Sequence, residues 1–105
     1  MNRLNQLYKH TYKVMNITSS SNYDLLKCYN NLINKEITNN NGYIKSTNFK
    51  SFNNSINYIS ISEWVSEEYW NNWYSSDKRN LCMNLAEVRF DIPSNQIKEI
   101  IYHIK

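Results

Sequence analysis

Apolar positions recur along this chain at two different periods, and the changes between them mark its elements. Tyr12 to Thr18 is short and β-compatible, and the serine run Ser19-Ser20-Ser21 that follows suits a helix cap, so a first strand leading into a helix is predicted. From Asn22 onward Leu25, Cys28, Tyr29, Leu32, Ile33 and Ile37 fall at helical spacing. One buried face on a helix of about four turns follows. Asn39-Asn40-Asn41-Gly42 ends it, with Gly42 suited to the left-handed conformation that helix ends favour.

Tyr43 to Phe52 then reads as a strand of modest quality, Asn53-Asn54-Ser55 as a turn, and Ile56 to Trp64 as the strongest strand in the chain. The two are expected to pair antiparallel. Ser66 precedes Glu67 and Glu68, a polar cap and two acids where a helix dipole favours them, so a second helix starts there and carries Tyr69, Trp70, Trp73 and Tyr74 three and four apart. Ser75-Ser76-Asp77 can break it and cap a continuation through Leu81, Cys82 and Leu85. Pro93 and Ser94 mark a loop, and Ile97 to Ile104 alternates, with Ile100, Tyr102 and Ile104 on one side and Glu99, Ile101 and His103 on the other.

The order strand, helix, strand, strand, helix, strand implies an α+β domain of the ferredoxin-like βαββαβ kind. A four-stranded antiparallel sheet would carry both helices on one face. The other face, where Tyr58 and Ile61 are expected, then needs a cover, and a second copy packed sheet to sheet would supply it.

Composition narrows the class. A chain of 105 residues suits one domain, expected over 12–105 behind a flexible segment 1–11, and 41% apolar with 14% aromatic residues can form a core. One Gly and one Pro argue against a many-turned barrel or sandwich. The asparagine runs, with the Lys and Ile usage, read as the background of an AT-rich coding genome. A net charge of +3 is spread along the chain rather than clustered, which speaks against a nucleic-acid binder. Cys28 and Cys82 are far apart and lack zinc-type spacing, so both are expected as reduced core thiols, with no metal site. No apolar stretch approaches the roughly 20 residues of a membrane span, so a cytoplasmic protein is expected.

The stretch from Asn57 to Arg79 resembles the signature region of the antibiotic biosynthesis monooxygenases, a family of dimeric α/β-barrel proteins. Its strand-ending Trp, polar and Ser positions, acidic helix start and Trp-Ser helix end correspond to Trp64, Ser66, Glu67-Glu68, Trp73 and Ser75-Ser76. Gly42-Tyr43-Ile44 resembles the family's approach to its second strand, and the likeness extends over most of residues 12 to 104. It implies a homodimeric α/β barrel, and it implies a site. In haem-degrading members an Asn on strand one, a Trp on helix two and a His about ten residues later build it; Asn16 and Trp73 match, but the His position falls on Met83 or its neighbours.

Haem degradation is therefore disfavoured, and the resemblance to cofactor-free members implies oxidation of a planar aromatic small molecule by dioxygen, with no cofactor. In that reading Asn16 donates a hydrogen bond to an enolate-like anion and Trp73 stacks on its ring, with Tyr58, Trp64, Trp70 and Met83 as further binding residues. Each also has a plainer role, because aromatic residues mostly fill cores and interfaces. No His, Asp or Glu stands in an evident acid-base pair. Two other functions compete: a non-catalytic dimerisation or accessory module of the same fold, and an RNA-binding βαββαβ module, whose basic, Gly and aromatic signature is absent here.

Overall fold

Trp64 fixes which face of the sheet points inward. The computed structural model describes residues 11–52 and 56–103, and in it β1 (Tyr12–Ser20), β2 (Tyr43–Phe52), β3 (Ile56–Trp64) and β4 (Ile97–His103) form one antiparallel sheet in the order β2-β3-β1-β4. Trp64 pairs with Tyr12, so Ser62, Ser60 and Tyr58 share its face with Val14, Asn16 and Thr18. The expected turn at Asn53-Asn54-Ser55 lies outside the described residues, as do residues 1–10 of the expected N-terminal segment. Thr11 is buried and donates to Glu63 at 3.1 Å.

Three helices, α1 (Tyr23–Ile37), α2 (Glu67–Tyr74) and α3 (Asp77–Val88), pack on that inner face. The expected second helix is two, broken at Ser75 and Ser76. Ser76 restarts the ladder by accepting from the Arg79 N–H at 3.1 Å, whereas Ser66 begins α2 without a side-chain cap bond. Strand β1 runs two residues beyond Thr18, so Asn22 and not the serine run caps α1, accepting from Leu25 N–H at 3.1 Å.

Two of the asparagines read as compositional background, Asn39 and Asn40, cap the end of α1. At the end of α1 the Asn40 side chain donates to the carbonyls of Glu36 and Ile37, both at 3.0 Å, and Gly42 turns the chain at φ +79°.

The inward face of α1 is centred on Leu26, Tyr29, Asn30 and Ile37. Leu25 and Leu32 flank it half-buried, and Cys28, expected as a core thiol, is exposed because it lies one residue off the stripe. Cys82 is buried beside Ala86 on α3, while Leu81 next to it is 58% exposed.

Two apolar clusters fill the interior. Tyr12, Val14, Ile37, Trp64, Trp70 and Trp73 form one; Leu26, Tyr29, Ala86 and Ile92 form the other, and half-buried Ile33 touches both. Trp64 is fully buried, its indole N–H donates to Ser62 Oγ at 3.0 Å, and Tyr43 meets it edge-on with centroids 5.6 Å apart.

The opposite face carries Met15, Ile17, Phe49, Ile59, Ile61 and Ile100, none of which belongs to either cluster. Phe49 is 48% and Ile100 46% exposed. Ile61 lies there as expected; Tyr58 does not, because pairing with Thr18 puts it against the second inner cluster. One end of this face is charged, with Glu63 between Lys13 at 3.7 Å and Lys45 at 3.5 Å. Among the described residues no helix is long and apolar enough to cross a membrane.

Candidate functional site

A polar row crosses the middle of the inner sheet face. Asn16 at the centre of β1 pairs with Ser60 on β3 and Glu99 on β4, so three hydrogen-bonding side chains point toward the helices where apolar ones would be cheaper to bury. A crevice opens above them. Asn16, Thr18, Ser60, Ile97 and Glu99 form its floor, and Tyr29 and Asn34 from α1, Trp73 from α2, and Arg79 and Met83 from α3 are among its walls.

Charge is concentrated at one wall. The Arg79 guanidinium pairs with Glu99 Oε1 and stacks 4.1 Å over the Tyr74 ring; the two paired side chains are only 11% and 18% exposed. The backbone N–H of the same Arg79 is capped by Ser76, so the break between α2 and α3 delivers the guanidinium into the crevice. Burial pushes the Glu99 carboxyl above its ordinary range, and Arg79 only partly opposes this.

Tyr29 donates to Met83 Sδ at 3.7 Å. Its phenol is held well above its usual value by burial, with Cys82 and Glu99 adding to the effect and Arg79 opposing it. Burial, aided by Glu36, likewise raises the Cys82 thiol, which keeps it protonated and unreactive at neutral pH.

The side chains of Asn16, Asn34 and Ser60 have no hydrogen-bond partner among the described residues, and no fully buried side-chain oxygen or nitrogen there lacks one. Their polar atoms are therefore open to the crevice rather than sealed beneath it. The space is narrow. Its cavity volume is about 30 Å³, room for roughly two waters. Among the described residues no three His, Cys, Asp or Glu side chains cluster as metal ligands would.

Of the residues singled out in the sequence, Asn16, Trp73 and Met83 meet in this crevice. Trp64 and Trp70 lie in the first apolar cluster and Tyr58 packs on the second; none of the three lines the crevice. The sequence offers no evident acid-base pair among His, Asp and Glu; the structure adds an ion pair that it did not show, between Arg79 and Glu99, twenty residues apart. Alternation already put Glu99 on one side of β4, but only the pairing of β4 with β1 shows that side to be the inner one.

No protein-family model matches the sequence, and no curated protein matches it. Solved structures do match. SnoaB, a cofactor-independent oxygenase from Streptomyces nogalater, aligns with TM-score 0.73 at 7% identity over 91% of this chain and 93% of its own. A conserved protein from Methanosarcina mazei Go1 aligns at 0.71 with 16% identity, covering 95% and 98%. The ActVA-Orf6 monooxygenase of Streptomyces coelicolor, solved with Nanaomycin D, aligns at 0.62 with 15% identity, covering 91% and 88%.

The chain has the fold of the antibiotic biosynthesis monooxygenases. At these identities the likeness concerns the path of the backbone, and what the crevice does has to be read from its own side chains.

Proposed function

We propose that this protein is a homodimeric, cofactor-independent oxygenase-like protein that acts on a planar, electron-rich aromatic molecule. The observation that carries the proposal is the meeting of Asn16 and Trp73 in one crevice, with the Asn16 amide unpartnered among the described residues. Asn16 would donate a hydrogen bond to the oxygen of an enolate-like substrate anion, and Trp73 would lie against its ring. Such an anion gives up electrons to dioxygen without a metal. For an activated methylene the reaction balances as a single methylene and a single dioxygen giving a ketone carbonyl and a water, with one oxygen atom in each product. The cofactor-independent oxygenase with the same fold supports the reaction type.

The second copy would cover the open sheet face. In β3 the residues Ile59 and Ile61 face outward while Ser60 and Ser62 face the helices, the reverse of what a sheet with one wetted face would select. That inversion fits a face buried against another, and the Lys13–Glu63–Lys45 end gives it a polar rim.

A second reading, a non-catalytic module of the same fold, is favoured by the crevice volume, since ligand pockets commonly enclose roughly 300 Å³ or more. Under the oxygenase reading ligand entry has to part the helices from the sheet. Oxygen uptake with a panel of anthrones and quinols separates the two. Turnover that disappears in Asn16→Ala and Trp73→Ala supports the oxygenase; folded protein that neither binds nor oxidises any member of the panel supports the module.

A further inference from the structure

We infer that Glu99 is the group that takes the proton from the substrate, with Arg79 as its positioning residue. The inference rests on the oxygenase reading and adds the base that this reading lacks. Glu99 stands beside Asn16 in the sheet register, so a substrate oxygen held by the Asn16 amide brings the neighbouring acidic C–H or O–H over the Glu99 carboxyl. Oε1 is occupied by Arg79, whereas Oε2 has no hydrogen-bond partner among the described residues and is not sealed from the crevice. One oxygen fixes the carboxylate and the other is left to react.

In the step itself a substrate C–H bond breaks and an O–H bond forms at Oε2, the electron pair remaining on the substrate as its enolate. Dioxygen then oxidises the enolate, and the proton held by Glu99 leaves in the water formed. A carboxylate in water is a weak base for this task, but burial raises the proton affinity of Glu99. The groups facing it are Arg79 from α3, Tyr29 from α1 and neutral Asn16 from β1. Of these groups Glu99 is the carboxyl, and carboxyls titrate on the acid side of neutral.

The test uses the full chain with 1,8-dihydroxyanthrone and reads oxygen uptake from pH 4 to 8. Wild type should consume oxygen, with kcat/KM rising along an acidic limb centred above the ordinary carboxyl value of 4.5. Glu99→Gln, which keeps an acceptor for Arg79, should lower kcat by about 100-fold or more, leave KM within about threefold and abolish the acidic limb. Glu99→Asp should fall between. A Glu99→Gln protein that retains its rate and its limb overturns the inference and leaves the oxygenase reading standing. A wild type inert toward the whole anthrone and quinol panel overturns that reading and this inference with it. Should Glu99→Gln fail to fold, the wild-type profile decides: a rate that stays level through the window above 4.5 overturns the assignment.

Discussion

Gly42 joins the end of α1 to β2 at φ +79°, and its carbonyl accepts from the Val65 N–H at 2.8 Å. A Cβ added there would lie 2.2 Å from Tyr69 Cγ and 2.5 Å from Tyr69 Cβ. Gly42→Ala therefore has two costs: about 1–2 kcal/mol for an L side chain in the left-handed region, and about 1–3 kcal/mol for overpacking. The clash is with the root of Tyr69 rather than its ring tip, so a rotamer change cannot relieve it and α2 has to shift. The sum, about 2–5 kcal/mol, is a large part of the roughly 5–15 kcal/mol that holds a domain folded.

Urea unfolding followed by tryptophan fluorescence should show the midpoint of Gly42→Ala lowered by about 1 M or more. Gly42→Asn, which tolerates the backbone angle better, should recover the first cost but not the second. Because Trp73 sits one turn beyond Tyr69 on α2, ligand binding in the crevice should weaken as well. A Gly42→Ala midpoint within about 0.3 M of wild type, on slopes of about 1–3 kcal/mol/M, would refute both the turn conformation and the contact.

Four further outcomes follow from named contacts. The native state holds the Glu99 proton more tightly than the unfolded chain does, so stability should fall as pH rises from 4.5 through the raised folded value; Glu99→Gln should remove that slope from urea midpoints measured across pH 4–8. By the same sign, the raised Tyr29 phenol should cost stability as pH climbs past its ordinary value of 10.0, and Tyr29→Phe should unfold less steeply in alkali. Trp64→Ala should destabilise by about 3–5 kcal/mol, with Trp64→Phe clearly milder in calorimetry. Ile61→Lys should convert a dimer to a folded monomer in light scattering over a dilution series, and a wild type that is monomeric at every concentration would dispose of the proposed sheet-to-sheet pairing.

The order of elements was legible because each carries its own period and its own stop signals. Gly42 is the clearest instance, a lone glycine placed where the backbone needs a positive φ. What could not be read was facing. Helical spacing in α1 admits a stripe through Leu25, Cys28 and Leu32 or one through Leu26, Tyr29 and Ile33; the second is buried because Tyr29 and Leu26 meet Ala86 and Ile92 from distant segments.

Facing in β3 was legible in part: Ile61 lies outward as expected, but Tyr58 lies inward with Ser62, 1% exposed, which the Trp64 indole takes as an acceptor. Of the site, Asn16 and Trp73 were visible through a family pattern. Arg79 and Glu99 were not, because only the β1–β4 register and the helix break at Ser76 bring them together.

That pair bears on the choice between enzyme and inert module. A buried ion pair is seldom a net gain in stability over packed apolar side chains, and here it stands with Asn16 and Ser60 on the face of the sheet that forms the core. Each unpartnered polar group placed there costs about 1–3 kcal/mol unless water or a ligand satisfies it. A fold kept only as a dimerisation scaffold gains nothing from such a row, and Val or Ile at these positions would stabilise it. The outer face of the same sheet already shows that this sequence supplies β-branched residues where apolar contact is wanted. The oxygenase reading gives the inner row a use, because an anion stabiliser and a proton acceptor both have to be polar and to keep an atom open to the crevice before the substrate arrives.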